Sequence, residues 1–355
     1  MRQFHSLKIK SIQRETRDSV RIALRVPEEL RTEFEYLPGQ HLPFQLELDG
    51  KKLRRTYSIC SGPDEALEIG VRVQSGGRFS EYAANVLATG DSIDVMPPSG
   101  QFHLELDANN ANDYVGFAAG SGITPILAMI KSVLATEANS RFILFYGNRK
   151  QSTTMFIEDL YALKNKYPER LQLNFVFSQE EQEFEPMAGR LDGDKVRELY
   201  RHFGAGLHAR DCFVCGPDSM IKDVTEALLD LGMKQEHVHS ERFGVPRKAT
   251  GAKPAIAPRA ADNAEITVIM DGHKKVFDMQ RDDANIVDAA ADHGIELPYS
   301  CKGGVCATCR CHVRDGEVSM DTNYGLEPWE VEKGFVLACQ SQPVTEKVTL
   351  DYDKV

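Results

Sequence analysis

Three cysteines stand close together, Cys301, Cys306 and Cys309, and a fourth, Cys339, follows thirty residues later. Thiolates in a C-x4-C-x2-C run with a distant fourth suit a two-iron, two-sulfide cluster. A tight loop supplies three sulfurs, and a remote strand or turn supplies the last. Gly303 and Gly304 lie inside the loop, where the backbone must wrap the metal and aim N–H groups at sulfur. A zinc site or inert core cysteines are the competing readings. Zinc sites usually show two C-x2-C pairs, and this loop has a single run. Cys311 is an extra thiol. It alternates with Arg310 and His312 at the start of an expected strand, which suits a core position rather than ligation.

A second set of residues lies far upstream. Arg54-Arg55-Thr56-Tyr57-Ser58 follows a strand and precedes Gly76-Gly77-Arg78-Phe79-Ser80. A flavin dinucleotide needs cations or N–H groups for its pyrophosphate, an aromatic face and a polar contact near its reactive nitrogen. Arg55 can supply the charge-assisted bond, Tyr57 the face and Ser58 the polar contact. Gly76, Gly77 and Ser80 lead into an expected helix over 81–87, and such a helix start is a phosphate site. Taken singly, the pentapeptide also fits a surface strand and the Gly-Gly pair an ordinary turn.

A third set ends an apolar run. Gly120-Ser121-Gly122-Ile123-Thr124-Pro125 leads into an apolar helix. Glycines at a strand end let the backbone approach a pyrophosphate, and Pro125 suits a first helical turn. The spacing is not G-x-G-x-x-G, so a plain tight turn competes. Tyr146-Gly147-Asn148-Arg149 and Cys215-Gly216-Pro217, with Met220 nearby, close two later strands. Cys215 also fits a core cysteine. Cys212, earlier on that strand, reads as a core residue of the same face.

These sets need elements to hold them. Residues 5–107 alternate in short runs (19–26, 41–48, 66–73) broken by Pro38-Gly39, Asp49-Gly50 and Gly62-Pro63, which predicts an all-β barrel or sandwich. From 112 to 245, continuous apolar runs (114–119, 141–147, 171–177, 211–216) alternate with helical patterns at 125–134, 155–164 and 219–231. That order predicts a parallel sheet covered on both faces. Residues 246–262 carry three Pro and six Ala, a semi-extended linker. Residues 263–355 begin with a hairpin turning at Asp271-Gly272. A helix near 285–293, the cysteine loop and a last strand near 347–352 follow. The expected domains are 1–110, 111–245 and 263–355, joined through 246–262.

Composition narrows the classes. The chain has 355 residues, 42% of them apolar and 27% charged, an ordinary globular balance. The net charge of -11 argues against nucleic acid as a partner. The charge is lopsided: residues 263–355 hold 17 Asp and Glu against 9 Lys and Arg, a net -8. The N-terminus has no apolar stretch for a signal peptide, and the longest uncharged run, 114–130, contains three glycines and Pro125. These features predict a cytoplasmic protein, no membrane span and cysteines kept reduced.

The cysteine spacing resembles plant-type ferredoxin domains of β-grasp fold, over residues 263–355. Where many of those domains have Gly after the second cysteine, this chain has Ala307. The upstream motifs, Arg-x-Tyr-Ser, Gly-x-Gly-Ile-Thr-Pro, Tyr-Gly-x-Arg and Cys-Gly-Pro in this order, resemble the ferredoxin–NADP reductase superfamily. That resemblance implies a multidomain protein: an all-β FAD-binding barrel, an α/β nucleotide-binding domain with a parallel sheet, and the ferredoxin domain. It implies that Arg55, Thr56, Tyr57, Ser58, Val71, Val73, Gly76, Gly77 and Ser80 line FAD. It places Gly120, Ser121, Gly122, Thr124, Pro125, Gly216, Pro217 and Met220 along the nicotinamide nucleotide, and Tyr146, Arg149 and Ser178 toward its adenosine. It gives Ser58, Cys215 and Glu241 catalytic positions and brings Phe243 to the flavin. For Glu241 and Phe243 a plain edge strand competes.

The order flavin, nicotinamide, linker, ferredoxin resembles the reductase components of multicomponent oxygenases. Stretches such as Arg14-Glu15-Thr16, Tyr36-Leu37-Pro38-Gly39-Gln40-His41-Leu42 and Val95-Met96-Pro97-Pro98 resemble the reductase subunits of phenylacetyl-CoA epoxidase complexes. The resemblance implies NADPH as donor and a di-iron oxygenase as acceptor, in phenylacetate degradation. Arg149 and Ser178 can hold a 2′-phosphate, whereas Glu180 and Glu181 would repel one, so NADH stays open. The -8 charge predicts a basic docking surface on the partner. A Rieske-type oxygenase or hybrid-cluster protein as acceptor, and a non-enzymatic electron carrier, are the competing readings.

Overall fold

The computed structural model describes residues 3–203, 209–244, 263–280 and 282–354. The predicted linker, 246–262, lies outside the described residues. The chain falls into two compact units: the larger comprises His5–Leu53 and Tyr57–Phe243, and the other holds the C-terminal region.

The larger unit opens with β1 (His5–Thr16), β2 (Ser19–Arg25), β3 (His41–Leu48), β4 (Lys51–Ser58), β5 (Leu67–Arg72), α1 (Arg78–Asn85) and β6 (Ser92–Val95). The strands form one sheet in the order β4-β3-β6-β1-β2-β5. Ile59 pairs with Ile69 and the Cys60 amide donates to Glu68 O, which joins the two edges into a barrel. Alternation puts Leu7, Ile9, Ile22, Leu42, Phe44 and Val95 inside, and Phe79 of α1 is buried with them. Two expectations shift. Arg54–Ser58 lie within a strand of their own, and α1 starts at Arg78, three residues before the expected helix. Charged β4 residues hid the strand, because this edge of the barrel is half exposed.

The chain continues through β7 (Asp113–Ala119), α2 (Ile123–Thr136), β8 (Arg141–Asn148), α3 (Ile157–Lys166), β9 (Leu171–Phe177), α4 (Gly193–Phe203), β10 (Asp211–Gly216), α5 (Asp218–Asp230) and β11 (Val238–Arg242). The order is β11-β10-β7-β8-β9 and every pair is parallel. Each face has its own core. Tyr114, Ala118, Phe213 and Cys215 belong to one; Val115, Phe117, Cys212 and Val214 belong to the other. Cys212 and Cys215 are therefore on opposite faces, contrary to expectation, because three residues along a strand of period two reverse the side. The chain leaves β7 for β8 on one side and reaches β10 on the other. The carboxyl ends of β7 and β10 form the crevice where open α/β sheets bind ligands.

Ion pairs fasten the barrel to this sheet. The Arg21 guanidinium binds the Asp159 carboxylate through both nitrogens, one bond measuring 3.1 Å. Glu15 Oε1 accepts from the Phe156 amide at 3.0 Å. Lys131 of α2 is buried against Glu65 at 2.6 Å.

The second unit contains β12 (Asn263–Met270), β13 (His273–Gln280), α6 (Ile286–Asp292), β14 (Arg310–Asp315), β15 (Val318–Met320), α7 (Pro328–Glu332), β16 (Phe335–Leu337), β17 (Ser341–Pro343) and β18 (Lys347–Asp351). Five strands run in the order β13-β12-β18-β14-β16, with β12 parallel to β18. Helix α6 buries Ile286, Val287, Ala289 and Ala290 in the core of this sheet, as in a β-grasp. Asp271 and Gly272 both have positive φ, 52° and 72°, as a two-residue hairpin turn demands.

Candidate functional site

A cavity of about 840 Å3 opens at the crevice. Of the residues expected along the nicotinamide nucleotide, Gly120, Ser121, Gly122, Arg149, Ser178, Gly216, Pro217 and Met220 line it; Val73 and Phe243, expected at the flavin, line this cavity too. Gly120 has φ +56° and follows β7 directly, so the chain turns sharply at the strand end. Thr124 and Pro125 are buried in the first turn of α2, and the Thr124 hydroxyl donates to Ser121 O at 3.0 Å. They shape the loop from behind. Tyr146 is fully buried and donates to Gly120 O at 2.9 Å, so it anchors the glycine loop rather than facing the cavity. Burial pushes its hydroxyl above the usual range.

Arg72, Asn148 and Arg190, given no role from the sequence, are also among the lining residues. Arg190 comes from the loop before α4, which has no phosphate-loop signature. Asn148 Nδ2 is buried with no hydrogen-bond partner among the described residues. A donor so placed calls for a ligand or water acceptor, and the cavity therefore fits a nucleotide. Glu180 and Glu181 do not line it, and Glu180 accepts from the Gln151 amide at 2.7 Å.

Deeper in the same unit, barrel and sheet bring three predicted residues together. Ser58 ends β4, and its hydroxyl donates to Glu241 Oε2 at 3.1 Å. Glu241 on β11 pairs in register with Cys215 on β10. Burial, with the charge of Glu241, pushes the Cys215 thiol far above its usual range, so it is not a nucleophile. His41, unnoticed in the sequence, brings Nδ1 within 3.4 Å of Glu241 Oε1. The ring of Tyr57 packs on Phe79 with centroids 5.1 Å apart. Val71 is wholly buried in the barrel core, so its side chain faces no ligand. Arg55 is exposed and Thr56 half-buried on β4.

At the start of α1, the N-cap Gly77 offers no side-chain cap. Ser80 Oγ is spent on the loop itself, accepting from the Gln74 amide at 3.0 Å and donating to Gly77 O at 3.1 Å. A Cβ on Gly77 would sit 2.5 Å from that hydroxyl. Gly76, with φ +74°, is exposed beside it. Uncapped N–H groups and a glycine approach suit a phosphate, and with Ser58 and Tyr57 the barrel fits a flavin dinucleotide.

All eight cysteines of the chain are free thiols, and five of them lie in the second unit. The four predicted ligands converge as two pairs. Cys306 hydrogen-bonds Cys301, which lowers Cys301 and raises itself; Cys309 and Cys339 bond in the same way, with Cys339 lowered. Among the described residues no group of three or more His, Cys, Asp or Glu side chains is placed to hold a metal ion. Two pairs are what two irons require. Amides of Gly303 and Cys306 donate to Cys301 Sγ at 3.3 and 3.4 Å, and Thr308 Oγ1 donates to Cys306 Sγ at 3.2 Å. These donors suit sulfur that carries negative charge. Gly304 has φ +74°, and a Cβ there would meet Thr322 O at 2.8 Å. Cys311 is buried in the core of the sheet, as expected.

Residues 6–104 match the oxidoreductase FAD-binding domain family, 117–226 the oxidoreductase NAD-binding domain family, and 268–344 the 2Fe-2S iron-sulfur cluster binding domain family. The chain is 44% identical to one of the subunits of the 1,2-phenylacetyl-CoA epoxidase of Escherichia coli, over 99% of each chain. It is 34% identical to the ferredoxin reductase component of the 3-ketosteroid-9-alpha-monooxygenase of Rhodococcus rhodochrous, over 98% of this chain and 96% of that one. Among solved structures, phthalate dioxygenase reductase shares the fold, with 23% identity, a TM-score of 0.57 and 98% of both chains covered. Among the described residues no helix is long and apolar enough to cross a membrane. The chain belongs to the family of NAD(P)H-dependent oxidoreductases that combine FAD-binding, NAD-binding and 2Fe-2S domains and serve as reductase components of oxygenases.

Proposed function

We propose that this protein takes electrons from NADPH through FAD and the [2Fe–2S] cluster to a di-iron oxygenase that epoxidises phenylacetyl-CoA. The full-length likeness to the Escherichia coli epoxidase component carries the reading. When bound, FAD would supply the conversion of a two-electron hydride into single electrons, and the cluster would supply their one-at-a-time relay. The protein's share is holding and orienting. Gly120, Gly122 and Gly216 admit the nucleotide backbone at the crevice, and Arg149, Ser178 and Arg190 take its adenosine end. Arg149, Arg190 and Asp192 line the cavity while Glu180 and Glu181 do not, and this surplus of cations favours a 2′-phosphate and hence NADPH over NADH. Ser58 and Glu241, joined by their hydrogen bond, would face the flavin. Cys301 with Cys306 would hold one iron, and Cys309 with Cys339 the other. The domain bounds 1–110, 111–245 and 263–355 assign one cofactor to each.

The net -8 of residues 263–355 favours a basic docking surface on the partner. The test mixes purified protein, NADPH or NADH, the epoxidase component and phenylacetyl-CoA at rising salt. Product formation with NADPH that weakens with salt supports the reading. No product, with reduction of the chromophores intact, would direct the search to another oxygenase. The 34% likeness to a steroid monooxygenase reductase makes that class the second candidate.

A further inference from the structure

A cation directly follows Cys309. Arg310 opens β14, and its amide donates to Ala307 O at 3.0 Å. Its guanidinium lies over the ring of Phe335, 3.7 Å from the centroid, and its Nε donates to Glu330 Oε1 at 2.7 Å. Glu330 is wholly buried on α7. Desolvation of such a pair offsets much of its attraction, and apolar side chains of the same volume often stabilise a fold as well. Stability alone is therefore a weak reason for a buried arginine and glutamate at this place.

The pair brackets two of the four converging cysteines. Glu330 Oε2 accepts from the Glu327 amide at 2.9 Å, so one carboxylate both caps α7 and holds Arg310. Phe335 opens β16, and Arg310 pairs with Leu337 across β14 and β16. Cys339 comes two residues after Leu337, and Cys309 O accepts from the Ala338 amide at 3.2 Å. The charge of Arg310 reaches this core: burial pushes the Cys311 thiol up, while Arg310 pulls against it and Cys339 adds to it. Uptake of an electron adds negative charge where the cysteines converge. A buried cation beside them favours the reduced form and a buried anion the oxidised form, with little screening by salt.

We infer that the Arg310–Glu330 pair sets the reduction potential of the [2Fe–2S] centre, with Glu330 cancelling the charge of Arg310 so that an electron is not held beside Cys309 but passes on to the acceptor. The inference rests on the proposed ligand set, Cys301, Cys306, Cys309 and Cys339.

The test uses the full-length holoprotein and reads the midpoint potential of the cluster by reductive titration, followed by absorbance and electron paramagnetic resonance. Glu330→Gln keeps an acceptor for Arg310 and for the Glu327 amide but removes the charge. Its cluster should be easier to reduce, by about tenfold in the equilibrium, or about 59 mV for one electron. Arg310→Met keeps the length of the side chain and removes the cation, and its cluster should be harder to reduce by a like factor. Arg310→Lys keeps the charge and should stay near the wild-type potential. The double variant Arg310→Met, Glu330→Gln should return to it as well, because a pair removed whole leaves no net charge. Both single shifts should persist from low to high salt. Unchanged potentials in the two single variants would overturn the inference. So would shifts of the same sign in both, which mark a packing role. If one single variant fails to hold its cluster, the sign of the other decides, since each sign is required on its own. A wild-type protein with no [2Fe–2S] spectrum after reconstitution would instead sink the cluster reading itself.

Discussion

A Cβ atom placed on Gly122 would overlap the carbonyl group of Cys215 and come within 2.9 Å of the Gly216 nitrogen. Two strand ends, one from each side of the sheet's switch point, thus touch through a missing side chain. Gly122→Ala must push the loops apart, at a cost of about 1–3 kcal/mol for overpacking against rigid backbone. The expected result is a lowered unfolding temperature and a KM for NADPH raised at least about tenfold, since loop displacement moves the nucleotide amides. Gly90→Ala is the control: Gly90 has φ +94° but open space around it, so it should cost stability alone.

Cys339 and Cys311 are both buried thiols of one core, and they should part company on substitution. On the proposed ligand set, Cys339→Ser removes a ligand from one iron. The flavin bands should remain, and the broad iron–sulfur absorbance should be lost, with electron delivery beyond the flavin. Burial pushes the Cys311 thiol up to about 12, so it stays protonated and apolar. Cys311→Ala should keep the cluster spectrum and lose about 1 kcal/mol of stability. Loss of the cluster in Cys311→Ala would reassign the ligand set.

Arg149 and Arg190 line the same cavity from different loops. If they hold a 2′-phosphate together, each replaced by Ala should raise KM for NADPH by about 10- to 100-fold, the worth of a charge-assisted bond. KM for NADH should change little. Equal losses with both nucleotides would mean that the arginines serve the shared pyrophosphate instead.

The 2Fe-2S domain and the glycine loop were legible because their chemistry dictates local spacing. Cys301, Cys306 and Cys309 fall within nine residues, and Gly120 to Pro125 must turn from strand to helix in six. His41 and Arg190 were not legible, because each acts across the fold. His41 meets a residue 200 positions away, and its own neighbourhood reads as an ordinary barrel strand. Helix α4 escaped for another reason. Its sequence, GDKVRELYRHF, buries only Gly193, Val196 and Leu199, so charges masked a narrow apolar stripe. Ala307, standing where glycine is common in ferredoxin loops, has φ +50°. The sequence marks the departure, and only the structure shows that the position is left-handed.

Asp211 begins β10, at the end of the sheet away from the cavity, and its Oδ1 faces His239 Nε2 at 3.0 Å and His237 Nδ1 at 3.2 Å. Burial would push its carboxyl up, but the hydrogen bonds from His239 and His237 outweigh it and hold the carboxyl below its usual value. A depressed folded value makes the unfolded chain bind the proton first as pH falls. The stabilisation is therefore complete above the unfolded value of about 3.9 and disappears as pH drops through the lower folded value. Asp211→Asn should be less stable than the wild type from pH 5 to 7, and the gap should close as pH falls below about 4. Thermal melts of both proteins across pH 3–7 check this. Because β10 carries Cys215 at its opposite end, KM for NADPH at pH 7 should stay unchanged in Asp211→Asn. A shifted KM would show that strain at the first residue of the strand reaches the crevice.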